Sequence, residues 1–286
     1  MKILVFGDIG QLGQELQLQA GDITLEVRGL EDADFTNPEA CAQWIRETDA
    51  DAVINAVAYT AVDKAEEEEA LALQINATTP ALLAQVAAER GLPFVHVSTD
   101  YVYEGNGTQL WTPDAPTAPI NAYGRTKLAG DEAVVAAGGA YAILRTSWVV
   151  SAHGHNFIKT MLRLGADRDR LTIIHDQVGA PTPARDLARA CLSIASQLCE
   201  DAGKSGIYHM QGAPLASWAD FAREIFAQAD LPCEVVNIPT SDYPTPAARP
   251  LNSRLDCATL ETVFGIAQPD WTQGLAEILN DLGETS

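Results

Sequence analysis

The chain has 286 residues, 47% hydrophobic and 20% charged, with no repetitive or Gly/Pro/Ser-rich stretch, so it reads as globular, either two domains or one with a substantial lobe. Its 18 basic and 39 acidic side chains leave a formal charge of −21, which argues against nucleic acid, whose phosphates need a basic stripe, and against an anionic membrane. Lys2 runs directly into apolar Ile3–Phe6, predicting no cleaved leader; no apolar stretch reaches the ~20 residues of a membrane span, and five scattered cysteines without a Cys-x-x-Cys pair predict reduced thiols in a cytoplasmic protein.

From the start to about residue 150, short β-branched runs alternate with longer amphipathic stretches. Strands are predicted at Lys2–Phe6, Thr24–Arg28, Ala52–Val57, Phe94–Ser98 and Tyr141–Thr146, and helices at 11–20, 38–48, 66–90 and 122–137. Asn37 followed by Pro38 is a cap with proline in the first turn. This order predicts an α/β protein with a Rossmann-like, doubly wound parallel sheet, residues 1–150 forming a dinucleotide-binding domain. Beyond residue 150 come a helix at 155–165, a strand at 171–174, helices at 184–200 and 217–229, and a proline-rich segment from Pro239 to Pro250. Residues 151–286 are expected to form a smaller, mostly substrate-binding lobe with some segments returning to the sheet. Proline fixes φ and lacks a donor, so the proline-rich segment is expected as an ordered loop walling a cleft.

Gly7, Gly10 and Gly13 follow the first strand and open the first helix with the spacing G-x-x-G-x-x-G. Glycine lets the backbone approach a pyrophosphate, and the helix N-terminus offers it free N–H groups, so Gly7, Gly10, Gln11, Leu12 and Gly13 are candidate cofactor residues. The second strand ends in Glu26 and Arg28. An arginine there can pair with a 2′-phosphate, which favours NADPH and leaves NADH open; ordinary surface placement is the alternative. Asp34 and Phe35 are placed to frame the adenine. Asn55-Ala56-Val57-Ala58-Tyr59-Thr60 puts small side chains at the carboxyl edge of the sheet, and the Glu66–Glu69 run reads as a solvated helix start rather than a metal cluster.

The most specific constellation is Ser98-Thr99-Asp100-Tyr101 at the fourth strand's end with Tyr123 and Lys127 beyond it. Asn121 can cap a helix there, so Tyr123 and Lys127, four apart, share one face. A free phenol has a pKa near ~10, and a neighbouring cation would make it a usable acid–base group; Lys127 is placed to supply that charge. The five histidines are scattered, so packing or surface roles are expected of His96, His153, His155, His175 and His209.

Taken with Asn55–Glu66, Tyr123–Gly130, Arg145–Val149, Asn156–Leu164, Asp176–Thr182 and Arg249–Leu255, these motifs resemble the dTDP-4-dehydrorhamnose reductases, in the extended short-chain dehydrogenase/reductase group, over nearly the whole chain. The resemblance implies NADPH at Gly10, Gln11, Leu12, Asp34, Phe35, Ala58, Tyr59, Thr60, Tyr123 and Lys127, and a dTDP-sugar near Thr99, Asp100 and Trp148. It implies hydride delivery to C4 of the 4-keto sugar, with Tyr123 giving the proton and Thr99 binding the same oxygen. Some members dimerise through Mg2+ held by carboxylates of both chains; Glu15 matches one, but Arg185 stands where another is expected, which tells against a metal here and leaves monomer and homodimer open. Arg249, held between prolines, is expected either to fork onto the sugar diphosphate or to pair with a carboxylate of its own lobe. Trp148 is expected to stack on ligand or to pack beneath the cleft. Two rival readings are a nucleotide-sugar epimerase or dehydratase, which would consume no NADPH, and a non-catalytic cofactor-binding regulatory subunit.

Overall fold

The structure, a computed structural model, describes residues 1–284. Its main sheet contains β1 (Lys2–Phe6), β2 (Thr24–Arg28), β3 (Ala52–Asn55), β4 (Phe94–Thr99), β5 (Tyr141–Thr146) and a late strand, Gly206–Met210, in the order β2-β1-β3-β4-β5-late strand. All neighbours are parallel. Ile3–Phe6 are all buried, as expected of a parallel strand covered on both faces. The chain leaves β1 towards β2 and returns to β3 on the other side. A crevice therefore opens at the carboxyl ends of β1 and β3, where such sheets take their ligands.

Helices α1 (Gln11–Gln19) and α2 (Pro38–Glu47) follow β1 and β2, and Asn37 caps α2 through its side chain. After a short α3 (Val62–Ala65), the stretch expected as one helix over 66–90 is instead α4 (Glu69–Leu73), a π-turn at Gln74–Thr78 and α5 (Thr79–Glu89). The interruption has a structural use. Within the π-turn the buried Asn76 accepts from the Tyr59 backbone and donates to Thr126. The next helix, α6 (Ala122–Ala136), presses so closely there that a Cβ on Gly130 would lie 2.1 Å from the Asn76 carbonyl.

After β5 come β6 (Val149–Val150), α7 (Phe157–Asp167), β7 (Arg170–Ile174), β8 (Val178–Gly179), β9 (Thr182–Pro183) and α8 (Ala184–Glu200). They are followed by β10 (Gly206–Met210), β11 (Ala216–Ser217), α9 (Trp218–Gln228), β12 (Glu234–Ile238), α10 (Ala258–Phe264) and α11 (Trp271–Leu282). The strand β10 extends the main sheet, and α8 covers one face of it through Leu187, Ile194 and Leu198 packed with Leu12 and Leu16. Ile45, Leu83, Phe94 and Ile143 fill the other face. A separate core of Ile158, Met161, Phe221, Ile225, Trp271 and Leu275 joins α7, α9 and α11. No helix among the described residues is long and apolar enough to cross a membrane.

Candidate active site

Two cavities meet at Tyr101 and Trp218, which line both. The first, about 590 Å3, runs from Gly10, Gln11 and Leu12 past Ala58 and Thr60 to Thr99, Asp100, Tyr123, Lys127 and Trp148. The second, about 670 Å3, is walled by Arg168, Arg170, Gln177, Tyr243, Thr245 and Arg249, so the proline-rich segment does wall a cleft.

The glycine turn shapes one end of the first cavity. Gly7 has φ +106°, and a Cβ on Gly13 would lie 2.6 Å from the Gly7 carbonyl, so neither position takes a side chain without displacement. Gly10 precedes α1 with no side-chain cap, which leaves the first N–H groups of the helix for an anion. The Gln11 side chain donates to the Val149 carbonyl at 3.1 Å and accepts from Asn156 at 2.9 Å, tying the turn to the chain after β5. These features fit a dinucleotide pyrophosphate.

At the other end, Tyr123 sits in the first turn of α6, capped by Asn121, with Tyr101 edge-on at 5.3 Å between ring centroids. Enclosure pushes the Tyr123 phenol above its usual range, Thr99 draws it back by hydrogen bonding, and the charges of Asp100 and Asp131 push it up. The Lys127 ammonium group, one turn on and buried, donates to the Val97 carbonyl at 2.8 Å and lies 3.3 Å from His96 Nε2; burial draws it down to about 8. Asp100 is pushed up to about 6 by burial, against hydrogen bonds from Ser253 and Thr99, and its Oδ2 has no partner.

Other expected residues fall elsewhere. The Phe35 ring packs in the core against Phe6, 5.8 Å between centroids, and exposed Asp34 accepts from the Thr36 backbone, so neither side chain frames the cavity. Tyr59 turns its hydroxyl to Glu68 at 2.5 Å. Arg28 pairs with Glu26 at 2.5 Å and lies 3.6 Å over the Trp44 ring, its Nε without a partner; stacking holds the guanidinium at the strand end, outside the cavity wall. Trp148, at φ +47°, lines the cavity and stacks on Trp218 at 3.7 Å. Arg249 pairs with Asp63 of α3 at 2.8 Å, not with a carboxylate of its own lobe. Arg185 lies 3.9 Å from Glu15 and is bound to Glu277 and Asp281, both at 2.6 Å; a guanidinium already committed to two carboxylates does not fit a divalent-ion site.

Three contributors escaped the sequence reading as site residues: Tyr101, Trp218 and His96. Tyr101 lies within the quoted motif and could have been found there. Trp218 opens a helix 70 residues after Trp148, and nothing in the pattern brings the two together.

Comparison with known proteins agrees with this layout. Residues 1–284 match the family model described as RmlD substrate binding domain. The dTDP-4-dehydrorhamnose reductase of Escherichia coli K12 is 41% identical over 297 residues, covering 100% of this chain and 99% of that protein. A crystal structure of a dTDP-4-dehydrorhamnose reductase from Clostridium acetobutylicum superposes with a TM-score of 0.92 at 38% identity, covering 99% of this chain and 100% of that one. The Bacillus anthracis enzyme of that name, in complex with NADP, gives 0.90 at 32% identity, covering 98% and 99%.

Proposed function

The chain belongs to the dTDP-4-dehydrorhamnose reductase family, and from that premise we propose that it carries out the NADPH-dependent reduction of the C4 keto group of dTDP-4-dehydro-β-L-rhamnose to dTDP-L-rhamnose. The observation that carries this reading is the Tyr123 hydroxyl set beside Thr99, in a cavity whose far end is the uncapped, glycine-lined start of α1.

NADPH bound along that cavity supplies the hydride. Gly10, Gln11 and Leu12 hold its pyrophosphate, and Ala58 and Thr60 keep the opposite wall thin. Reduction in this direction needs an acid, and a phenol raised by enclosure keeps its proton throughout the neutral range. Tyr123 gives that proton to the C4 alkoxide as it forms, while Thr99 hydrogen-bonds the same oxygen. Asp100, with one oxygen unpartnered, accepts from a sugar hydroxyl, and Trp148 against Trp218 forms the apolar wall for the sugar. The nucleoside diphosphate enters the second cavity, where Arg168, Arg170 and Arg249 supply local cations that the net charge of −21 denies at long range. NADPH is the proposed cofactor, with Arg28, stacked on Trp44 and paired with Glu26 at the end of β2, the candidate partner for its 2′-phosphate. A cytoplasmic location fits the five unpaired cysteines.

The test is to incubate the protein with dTDP-4-keto-6-deoxyglucose, a 3,5-epimerase and NADPH. Formation of dTDP-rhamnose with loss of cofactor absorbance supports the reading; sugar conversion without cofactor consumption replaces it with epimerase chemistry.

A further inference from the structure

The two halves of a nicotinamide dinucleotide lie on either side of its pyrophosphate. With the pyrophosphate at Gly10 and the nicotinamide toward Tyr123, the adenosine half extends the other way, over the carboxyl ends of β1 and the edge strand β2. There the glycine turn lies against the end of β2, the Gly7 backbone N–H donating to the Arg28 carbonyl at 2.9 Å. In such folds an acid at this strand end serves the ribose hydroxyls of NAD, and an arginine accommodates the 2′-phosphate of NADP. This chain has the arginine on the strand, but it also brings a carboxylate to the same place from the glycine turn. The Asp8 side chain lies on Gly29, the residue after β2: a Cβ there would stand 2.1 Å from Asp8 Oδ2 and 2.7 Å from Oδ1. Gly29 is buried and its backbone is not left-handed, so what the glycine supplies is room for this carboxylate.

We propose that Asp8 is a specificity-determining residue for the cofactor: its free oxygen accepts from an adenosine ribose hydroxyl and its charge opposes a 2′-phosphate, so that the site takes NADH as well as NADPH. The inference rests on the cofactor placement proposed above. Arg28, next to Gly29 in the chain, attracts the phosphate, and Asp8, lying on Gly29, repels it. Cofactor preference is then the balance of two opposite charges and not a property of Arg28 alone.

The Asp8 carboxylate is available for this role. Its Oδ1 accepts from the Ile9 backbone N–H at 2.8 Å, while Oδ2 has no hydrogen-bond partner among the described residues. Nor does Arg28 neutralise it, because that guanidinium is turned to Glu26 at 2.5 Å and to the Trp44 ring. Neighbouring acids are poorer candidates. Glu26 is taken up by Arg28 and Lys2. Glu31, Asp32 and Asp34 in the loop after β2 are exposed, where solvent and salt screen them, whereas Asp8 is half-buried against backbone.

Binding titrations with NADH and with NADPH, followed by nicotinamide fluorescence in the absence of sugar, test this. The unsubstituted protein is expected to bind both. Asp8→Asn removes the charge and keeps the shape of the side chain. At low salt the Kd for NADPH should fall by roughly 3–10-fold, as the repulsion is lost, and the Kd for NADH should rise by roughly 3–10-fold, as the hydrogen bond to the ribose loses its charge. Asp8→Lys, which puts a cation in the same place, should tighten NADPH further. No measurable NADH binding by the unsubstituted protein, equal changes for both cofactors, or a gain for NADPH that Asp8→Lys does not enlarge would each overturn the proposal. None of these readouts uses turnover. A protein that binds both cofactors but leaves the sugar unreduced would refute the function and leave this inference standing, whereas one that binds neither would refute the cofactor placement and the inference with it.

Discussion

Arg249 reaches from the proline-rich segment to Asp63 on α3, 2.8 Å away, and so closes one side of the second cavity. The Asp63 carboxyl is held below its usual range, by hydrogen bonds from the Ala247 backbone and Arg249 that outweigh burial. An incoming diphosphate must compete with this pair for the guanidinium. Arg249→Ala is expected to raise KM for the sugar nucleotide by roughly 10–100-fold, the worth of one charge-assisted hydrogen bond, with NADPH affinity unchanged. Asp63→Asn frees the guanidinium and should lower that KM. Asp63 is substantially exposed, so melting temperatures should move little in either variant. A large drop in melting temperature with unaltered KM would assign Arg249 to the fold instead.

Tyr123→Phe removes the proton donor and keeps the ring. Turnover should fall by roughly 10²–10⁴-fold, the usual worth of general acid catalysis, while cofactor binding survives. Near-normal turnover would transfer the acid role elsewhere, with Tyr101, 5.3 Å away, the first candidate.

Asp100 gives a pH signature. Its folded carboxyl is raised to about 6 from 3.8, so between about pH 4 and 6 the folded protein binds more protons than the unfolded chain. This one group therefore costs stability above pH 6 and ceases to cost it below pH 4. Asp100→Asn should raise stability at pH 7 by on the order of 2 kcal/mol and lose that advantage as the pH falls to 4, while impairing sugar turnover. Thermal melts of both proteins from pH 4 to 8 check this; a pH-independent difference would show that the carboxyl is not raised.

Arg28→Glu breaks the stack on Trp44 and places a carboxylate where a 2′-phosphate is expected. NADPH affinity should fall far more than NADH affinity. Equal losses in a binding titration would show that the guanidinium reads no phosphate.

Much of this site was legible because its signals are local. The glycine turn sits directly after a strand, and Tyr123 and Lys127 share a helix face through their spacing of four. What escaped depends on the fold. Asn55 and His96 meet only through the register of two parallel strands 41 residues apart. The helix expected over 66–90 has sound periodicity, but close docking of α6 onto Asn76 selects a π-turn within it. Gly206–Met210 is a short edge strand opening on glycine, and although Asp201, Gly203 and Ser205 mark a turn before it, five residues with one β-branched side chain do not announce a sixth strand. Phe35 was read by its position after β2, whereas its apolar ring is stabilised by burial against Phe6.

The central claim is hydride transfer to C4, and isotope labelling tests it most directly. NADPH carrying deuterium at nicotinamide C4 would be incubated with the protein and dTDP-4-dehydro-β-L-rhamnose, and the sugar analysed by NMR and mass spectrometry. On the correctly labelled face, one deuterium should appear at C4 of dTDP-L-rhamnose for each NADPH oxidised. A product carrying no deuterium from either labelled face, or converted sugar with the cofactor unspent, would contradict the account.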